Sequence, residues 1–434
     1  MTNHVARIDW AWLPGAVPQD LSGLAKQTGA VARWRKVCSG EVLLWLCMLY
    51  ATAALSLRST SFLSQSTGRC KLNDSSLLHR LRAAGPFLQA VLNHVLFRSA
   101  AAGKARGLHR VLRLQDATVL CVPGSSGADF RLHTVYVPGL GLTSVEITDG
   151  SGGERLHRGH YEPRDIVVAD QGLAHARSIH HVHQQGAFTL VRAYLQNIRL
   201  HDGEGKRLEP GEVLQQADRG QRRWAVLVPL DGCESVKARL IVTALPAEQA
   251  ARARQRLKKR AGKKQKTLSE QALRLAGYFV VLTTVDEAVL SDEQVVKVYR
   301  LRWQIELFFK RCKSILKLSA LAADDPELVT TFCLGKMIEA ALIDRLNNRM
   351  VELSTVRPED ALRPSVSLYR LTVVHHLQML LAVCAGFRVK AERLLCAIGA
   401  LREGRRKRSD SLSLITQTHR RINAPRFEPP LPVG

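Results

Sequence analysis

The chain has 434 residues, enough for two or three domains with sizeable cores. Its 63 lysines and arginines against 38 aspartates and glutamates give a formal net charge of +25, far above the magnitude of about 2–8 that solubility asks of a small domain, so a polyanionic partner is implied and nucleic acid is the default. Nine cysteines with no Cys-x-x-Cys pair argue against a disulfide scaffold or a zinc ribbon, and the absence of a Walker-type glycine loop argues against an ATPase.

Met1-Thr2-Asn3-His4-Val5-Ala6-Arg7 lacks the shape of a signal peptide. Residues 1–105 read as helical. The run from Val42 to Leu57 is shorter than a membrane span and contains Thr52 and Ser56, so a buried helix is expected there and no membrane partner. Leu57–Gln65, Gly68 and Asp74–Ala84 read as helix, turn, helix, with Asn73 or Asp74 as cap and Leu77, Leu78 and Leu81 as core stripe. Such a pair could dock on DNA, or it could be a plain packing layer. Cys47, Cys121 and Cys384 sit in apolar runs and read as reduced core residues of a cytoplasmic protein.

From residue 106 the pattern changes to strands: Val111–Val122, Leu132–Val137, Thr143–Thr148 and Asp165–Asp170, with a returning helix over Ala174–Gln185. Three successive strands followed by one ending in Asp fit a mixed sheet. Asp116 lies inside its apolar strand, where an acid is costly unless paired, metal-bound or on an exposed face. Asp170 ends a strand and is followed by Gln171-Gly172; it is either a ligand presented at a sheet end or a helix cap. Asp149, in Thr-Asp-Gly, is explained by an Asx turn, and Asp129, Asp165 and Asp286 lie near turns too, so all four rank below Asp170.

Residues 186–272 are strand-rich, with strands expected over Phe188–Leu200, Trp224–Leu230 and Val236–Leu245. A basic run, Arg252 to Lys266, closes the stretch; it reads as a solvated or disordered segment that contacts phosphates. Phe279–Thr284 reads as a last buried strand. Ser291 and Gln294 have capping-box spacing at the start of a helix. That helix continues through Val298–Lys313, where Tyr299, Arg302, Trp303, Glu306 and Lys313 form a polar-aromatic stripe and Leu301, Ile305, Phe308, Cys312 and Ile315 an apolar one. Folding needs the second stripe but not the first. Residues 326–434 read as helical, through Leu328–Leu353 and Ser367–Ala385, with a basic tail at residues 405–408. His180, His181 and His183 would point to different sides of a helix, His375-His376 is weaker still, and Cys312 lies on the apolar face, so none is taken as a metal ligand or nucleophile.

Tyr299, Arg302, Glu306 and Lys313 resemble, with every spacing intact, the Y-(2)-R-(3)-E-(6)-K signature of insertion-sequence transposases of the IS-four type, a branch of the DDE transposases. Trp303 matches the residue usually found after the Arg. Asp116-Ala117-Thr118 resembles the family's first Asp motif, and Val167–Gly172 the second, with Gln171 where the family usually has Arg. The resemblance spans roughly residues 40–320 and implies an α/β, ribonuclease-H-like mixed-sheet core over 106–320, interrupted by a β-rich insertion at about 186–272; the helical regions that flank it, at 1–105 and 321–434, are read from the residues alone. It further implies that Asp116, Asp170 and Glu306 hold two Mg²⁺ ions, with Mn²⁺ able to substitute. Arg302 and Lys313 would neutralise phosphates, Tyr299 would hydrogen-bond the DNA backbone, and Trp303 would stack on an exposed base. The implied function is cleavage of element ends and strand transfer into target DNA. The implied partners are double-stranded terminal inverted repeats, target DNA and a second copy in a homodimer, in a bacterial cytoplasm and on the nucleoid. A silent, transposase-derived DNA-binding protein (which Gln171 favours) and a host nuclease of the same fold are the alternatives.

Overall fold

The computed structural model describes residues 16–105, 110–263, 265–321, 323–354 and 406–423. The N-terminal heptapeptide, the Ser367–Ala385 helix, His375-His376, Cys384 and Cys396 lie outside the described residues. The chain divides into two compact units. One comprises residues 1–107, 117–152 and 306–409; the other comprises 108–116, 153–305 and 410–434.

Five helices open the first unit: α1 (Leu21–Gln27), α2 (Gly40–Thr52), α3 (Leu57–Ser66), α4 (Asp74–Ala83) and α5 (Gly85–Ala105). The segment suspected of membrane character becomes α2, and Leu43 through Ala51 are buried in it, as expected of a core helix. Among the described residues no helix is long and apolar enough to cross a membrane. Asn73 caps α4 by accepting from the Ser76 amide, and Leu77 and Leu81 bury while Leu78 is only half-buried. A later helix, α12 (Pro326–Ser354), packs on α2, α4 and α5. Gly335 makes the α2 contact possible, because a Cβ there would stand 2.5 Å from that of Ala51. Arg82 of α4 pairs with Asp325 at 2.5 Å, so that cation is engaged within the unit.

The strands are β1 (Leu112–Leu120), β2 (Phe130–Val137), β3 (Gly141–Asp149), β4 (Ile166–Ala169), β5 (Phe188–Arg192), β6 (Arg223–Leu230), β7 (Cys233–Ala244) and β8 (Tyr278–Thr283). Within the second unit they follow the order β1-β4-β5-β8-β7-β6, and within the first β2 lies beside β3. The second unit holds the first half of β1, parallel to β4 with Leu112 opposite Ile166 and Gln115 opposite Ala169; β4 is in turn parallel to β5, Ala169 opposite Val191. β8, β7 and β6 continue antiparallel. All four β4 residues are buried, as an apolar run between two covered faces requires. The first unit holds the antiparallel β2–β3 pair. This is the mixed α/β sheet that the sequence implied.

Three expectations need correction. β5 stops at Arg192 rather than Leu200, because residues 194–197 form a turn in which the Asn197 amide donates to the Tyr194 carbonyl at 2.8 Å. The basic run is a helix, α8 (Ala247–Lys263), and Pro210–Asp218 forms a further helix, α7, that the sequence did not suggest. Cys121 is exposed rather than in the core, as are Cys38 and Cys233. The remaining helices are α6 (Ala176–Gln184), α9 (Glu270–Leu275), α10 (Asp292–Tyr299), α11 (Trp303–Ser314) and α13 (Arg406–Ile422).

Candidate active site on two neighbouring parallel strands

Asp116 and Asp170 each stand one residue past the last matched pair of β1 and β4, Gln115 and Ala169. Residues at one level of adjacent parallel strands lie about 4.8 Å apart in backbone and share a face. Sequence 54 residues apart is thereby reduced to one step of a sheet.

Two members of the signature meet this pair. The Tyr299 hydroxyl donates to Asp170 Oδ1 at 3.1 Å, and the Arg302 guanidinium lies 3.5 Å from Asp116 Oδ2, both side chains less than a fifth exposed. The same guanidinium sits 5.9 Å from the centre of the Tyr299 ring. Tyr299 is itself buried, edge-on to Phe279 of β8. Burial, and then the Asp170 charge, push its phenol well above the ordinary range, so it remains a donor throughout the physiological range.

The signature stretch is not one continuous helix. Ser291 and Gln294 form the expected capping box and α10 runs to Tyr299, but Arg300–Arg302 is a turn of 3₁₀ helix before α11 starts at Trp303. In a regular helix Tyr299 and Trp303 would be only about 40° apart. Here Tyr299 is buried while Trp303 is 58% exposed. The overwound turn separates a residue that supports Asp170 from one that faces solvent. The apolar stripe holds through Leu301, Ile305, Phe308 and Cys312, all buried, whereas Ile315 is half-buried and Leu316 takes its place in the core.

Glu306 and Lys313 belong to the first unit. Glu306 is half-buried, three residues after Trp303 on α11. The Lys313 ammonium donates to the Val119 carbonyl of β1 at 3.0 Å. Among the described residues no three His, Cys, Asp or Glu side chains form a group able to hold a metal ion. Asp116 and Asp170 do fit a hard divalent cation in donor chemistry, being oxygen ligands carried by neighbouring parallel strands, Asp116 midway along β1 and Asp170 just past the end of β4, but as two ligands of a set.

Sequence reading missed two features. Arg192 is one register step past Val191, beside Asp170, and its guanidinium lies 5.9 Å over the Phe279 ring; a single Arg after an apolar run gives little signal. Beneath Asp116, buried Gln115 accepts from the Tyr161 hydroxyl and donates to the Arg155 carbonyl at 3.0 Å. A Cβ on Gly159 would come within 2.3 Å of that hydroxyl. A polar residue in an apolar strand was the visible hint.

The lower-ranked acids behave as turn residues. Asp149 accepts from the Ser151 and Gly152 amides, Asp129 from the Val122 amide, and Asp286 from that of Ala288. Asp165 is buried against Arg113. His180 bonds the Val228 carbonyl, and His181 stands beside Gln185.

A family model described as transposase DDE domain matches residues 112–338. InsL of insertion sequence element IS186A from Escherichia coli strain K12 is 34% identical over 335 residues, which is 75% of this chain and 90% of that protein. The transposase for insertion sequence element IS421 of Escherichia coli is 34% identical over 336 residues with the same coverage. The transposase for IS231B of Bacillus thuringiensis subsp. berliner is 23% identical over 342 residues, 69% of this chain and 71% of that protein.

Proposed function

The chain belongs to the DDE transposase family, and from that premise we propose that Asp116, Asp170 and Glu306 are its catalytic carboxylates, acting on the ends of its own mobile element and then on target DNA. Transposases of this family use divalent metal ions; here Asp116 and Asp170, with Glu306 as third ligand, would hold two Mg²⁺ ions or Mn²⁺ in their place. Bound there, such ions supply Lewis-acid stabilisation and an activated water. The Glu306 assignment rests on its place in the signature spacing.

The observation that carries the reading is the pairing of Asp116 with Arg302 and of Asp170 with Tyr299. Two carboxylates side by side repel unless countered, and the signature supplies a cation for one and a hydroxyl donor for the other. On meeting DNA, Arg302 would exchange its carboxylate for a phosphate oxygen, Lys313 would offer a second cation, and exposed Trp303 would stack on a base freed from its partner. Hydrolysis of the phosphodiester at the element end leaves a 3′-hydroxyl; that hydroxyl then attacks a target phosphodiester, joining the strands and releasing a target 3′-hydroxyl. Pairing of two ends requires two copies, so a homodimer on double-stranded DNA is expected, in a bacterial cytoplasm and on its nucleoid.

Incubation with duplex DNA bearing the element's terminal repeat and Mg²⁺ tests this. Wild-type protein should nick and join the ends, and Glu306→Gln should do neither; a Glu306→Gln protein that cuts as fast as wild type ends the assignment. Gln171, which stands where the family usually has Arg, favours a second reading, a binding protein with a silent site. Shifted bands with no nicked product from the wild type would select it.

A further inference from the structure

The helix α8 carries a charge pattern that folding does not ask for. At about 100° per residue, Ala250, Ala253, Leu257 and Ala261 share one face; Ala250 and Ala261 are buried and the other two half-buried. Arg252, Arg256, Lys259, Arg260 and Lys263 gather in a separate arc about 100° wide, and all five are exposed. Glu248 pairs with Arg252 at 2.5 Å. Among the described residues no carboxylate pairs with Arg256, Lys259, Arg260 or Lys263.

This arrangement works against the helix. Arg252 with Arg256, Arg256 with Arg260, and Lys259 with Lys263 are like charges at i,i+4 spacing, which destabilises a helix. The helix dipole favours cations only in the last turn, which accounts for Arg260 and Lys263 and not for Arg256 or Lys259. Arg254, by contrast, lies next to the packed face and donates to the Leu273 carbonyl at 3.2 Å, so it serves the fold. An uncompensated stripe held in order on a helix is complementary to a regular row of anions. From Arg252 to Lys263 it is about 16 Å long, at 1.5 Å per residue, and covers roughly five nucleotide steps of a duplex strand at 3.4 Å each.

We propose that α8 is a phosphate-binding helix that grips duplex DNA without regard to sequence, giving the transposase affinity for DNA beyond its element ends. The stripe consists of Arg and Lys alone, and such contacts position a duplex but carry no sequence information when made to phosphates. The inference rests on the transposase reading for the nature of the partner.

The test is the salt dependence of binding, from 50 to 200 mM, to two duplexes, one with the terminal repeat and one unrelated. Each phosphate contact contributes about 0.9 to the slope of log affinity against log salt. The combined variant Arg256→Gln, Lys259→Gln, Arg260→Gln and Lys263→Gln should lower that slope by about 3–4 on both duplexes. A variant that exchanges Arg and Lys at the same four positions keeps the charge and should bind as wild type. If the combined variant fails to fold, Lys259→Gln and Lys263→Gln alone should each lower the slope by about one. An unchanged slope on both duplexes overturns the proposal. So does a loss confined to the terminal repeat. Expected slopes with no cleavage by the wild type would sink the transposase reading and leave this one standing.

Discussion

Tyr299 and Asp170 lie 129 residues apart in sequence and share a hydrogen bond of 3.1 Å. The phenol is buried against Phe279 and so is held in place from behind. Tyr299→Phe keeps the ring and removes the donor. A hydrogen bond to a charged acceptor is worth about 1.5–3 kcal/mol, so single-turnover cleavage should slow about 10- to 100-fold with little change in melting temperature. Cleavage at the wild-type rate would remove Tyr299 from the site.

Arg302 answers to Asp116 in the same way, with a cation. Lys cannot reproduce the planar fork of donors, so Arg302→Lys should retain part of the DNA affinity and lose cleavage, while Arg302→Ala should lose both. Binding isotherms and nicking rates on the same end duplex separate the two effects. Equal loss in both variants would make Arg302 a packing residue.

Asp344 of α12 is buried, and burial raises its carboxyl from 3.8 to about 7, with the Arg311 charge pulling it back down. The folded state therefore binds a proton that the unfolded state has released, and the stabilisation is full below about pH 4 and lost as pH rises through about 7. Wild type should lose urea resistance from pH 5 to pH 8 relative to Asp344→Asn. An identical difference between the two proteins at both pH values would show that Asp344 does not titrate in this window.

Gly159 keeps the Gln115–Tyr161 contact open beneath Asp116. Gly159→Ala forces a Cβ to within 2.3 Å of the Tyr161 hydroxyl and should cost about 1–3 kcal/mol by overpacking. Tyr161→Phe in the same chain should restore part of the melting temperature, since the hydroxyl is the nearest clash.

Local rules carried much of this structure. Ser291 and Gln294 cap α10, Asn73 caps α4, and Asp149 closes its turn, each through contacts within four residues. The strands that present Asp116 and Asp170 were legible from apolar runs alone. What was hidden depends on register and on the balance between helix forms. The nearness of Arg192 to Asp170 exists only once β4 and β5 pair, and the 3₁₀ turn at Arg300–Arg302 leaves the polar and apolar spacing of the sequence untouched. The basic run reads as a solvated or disordered segment because its charges hide a narrow Ala-Leu stripe; Ala, Arg, Lys and Gln are all good helix formers, and that stripe is enough to pack it.

In the proposed reaction two neighbouring strands present their aspartates to one phosphodiester. Single-turnover nicking of the element's terminal duplex by Asp170→Asn, in Mg²⁺ and at protein concentrations that saturate the DNA, tests it most directly. The variant should bind the duplex and make no cut; nicking at the wild-type rate would contradict a catalytic role for Asp170.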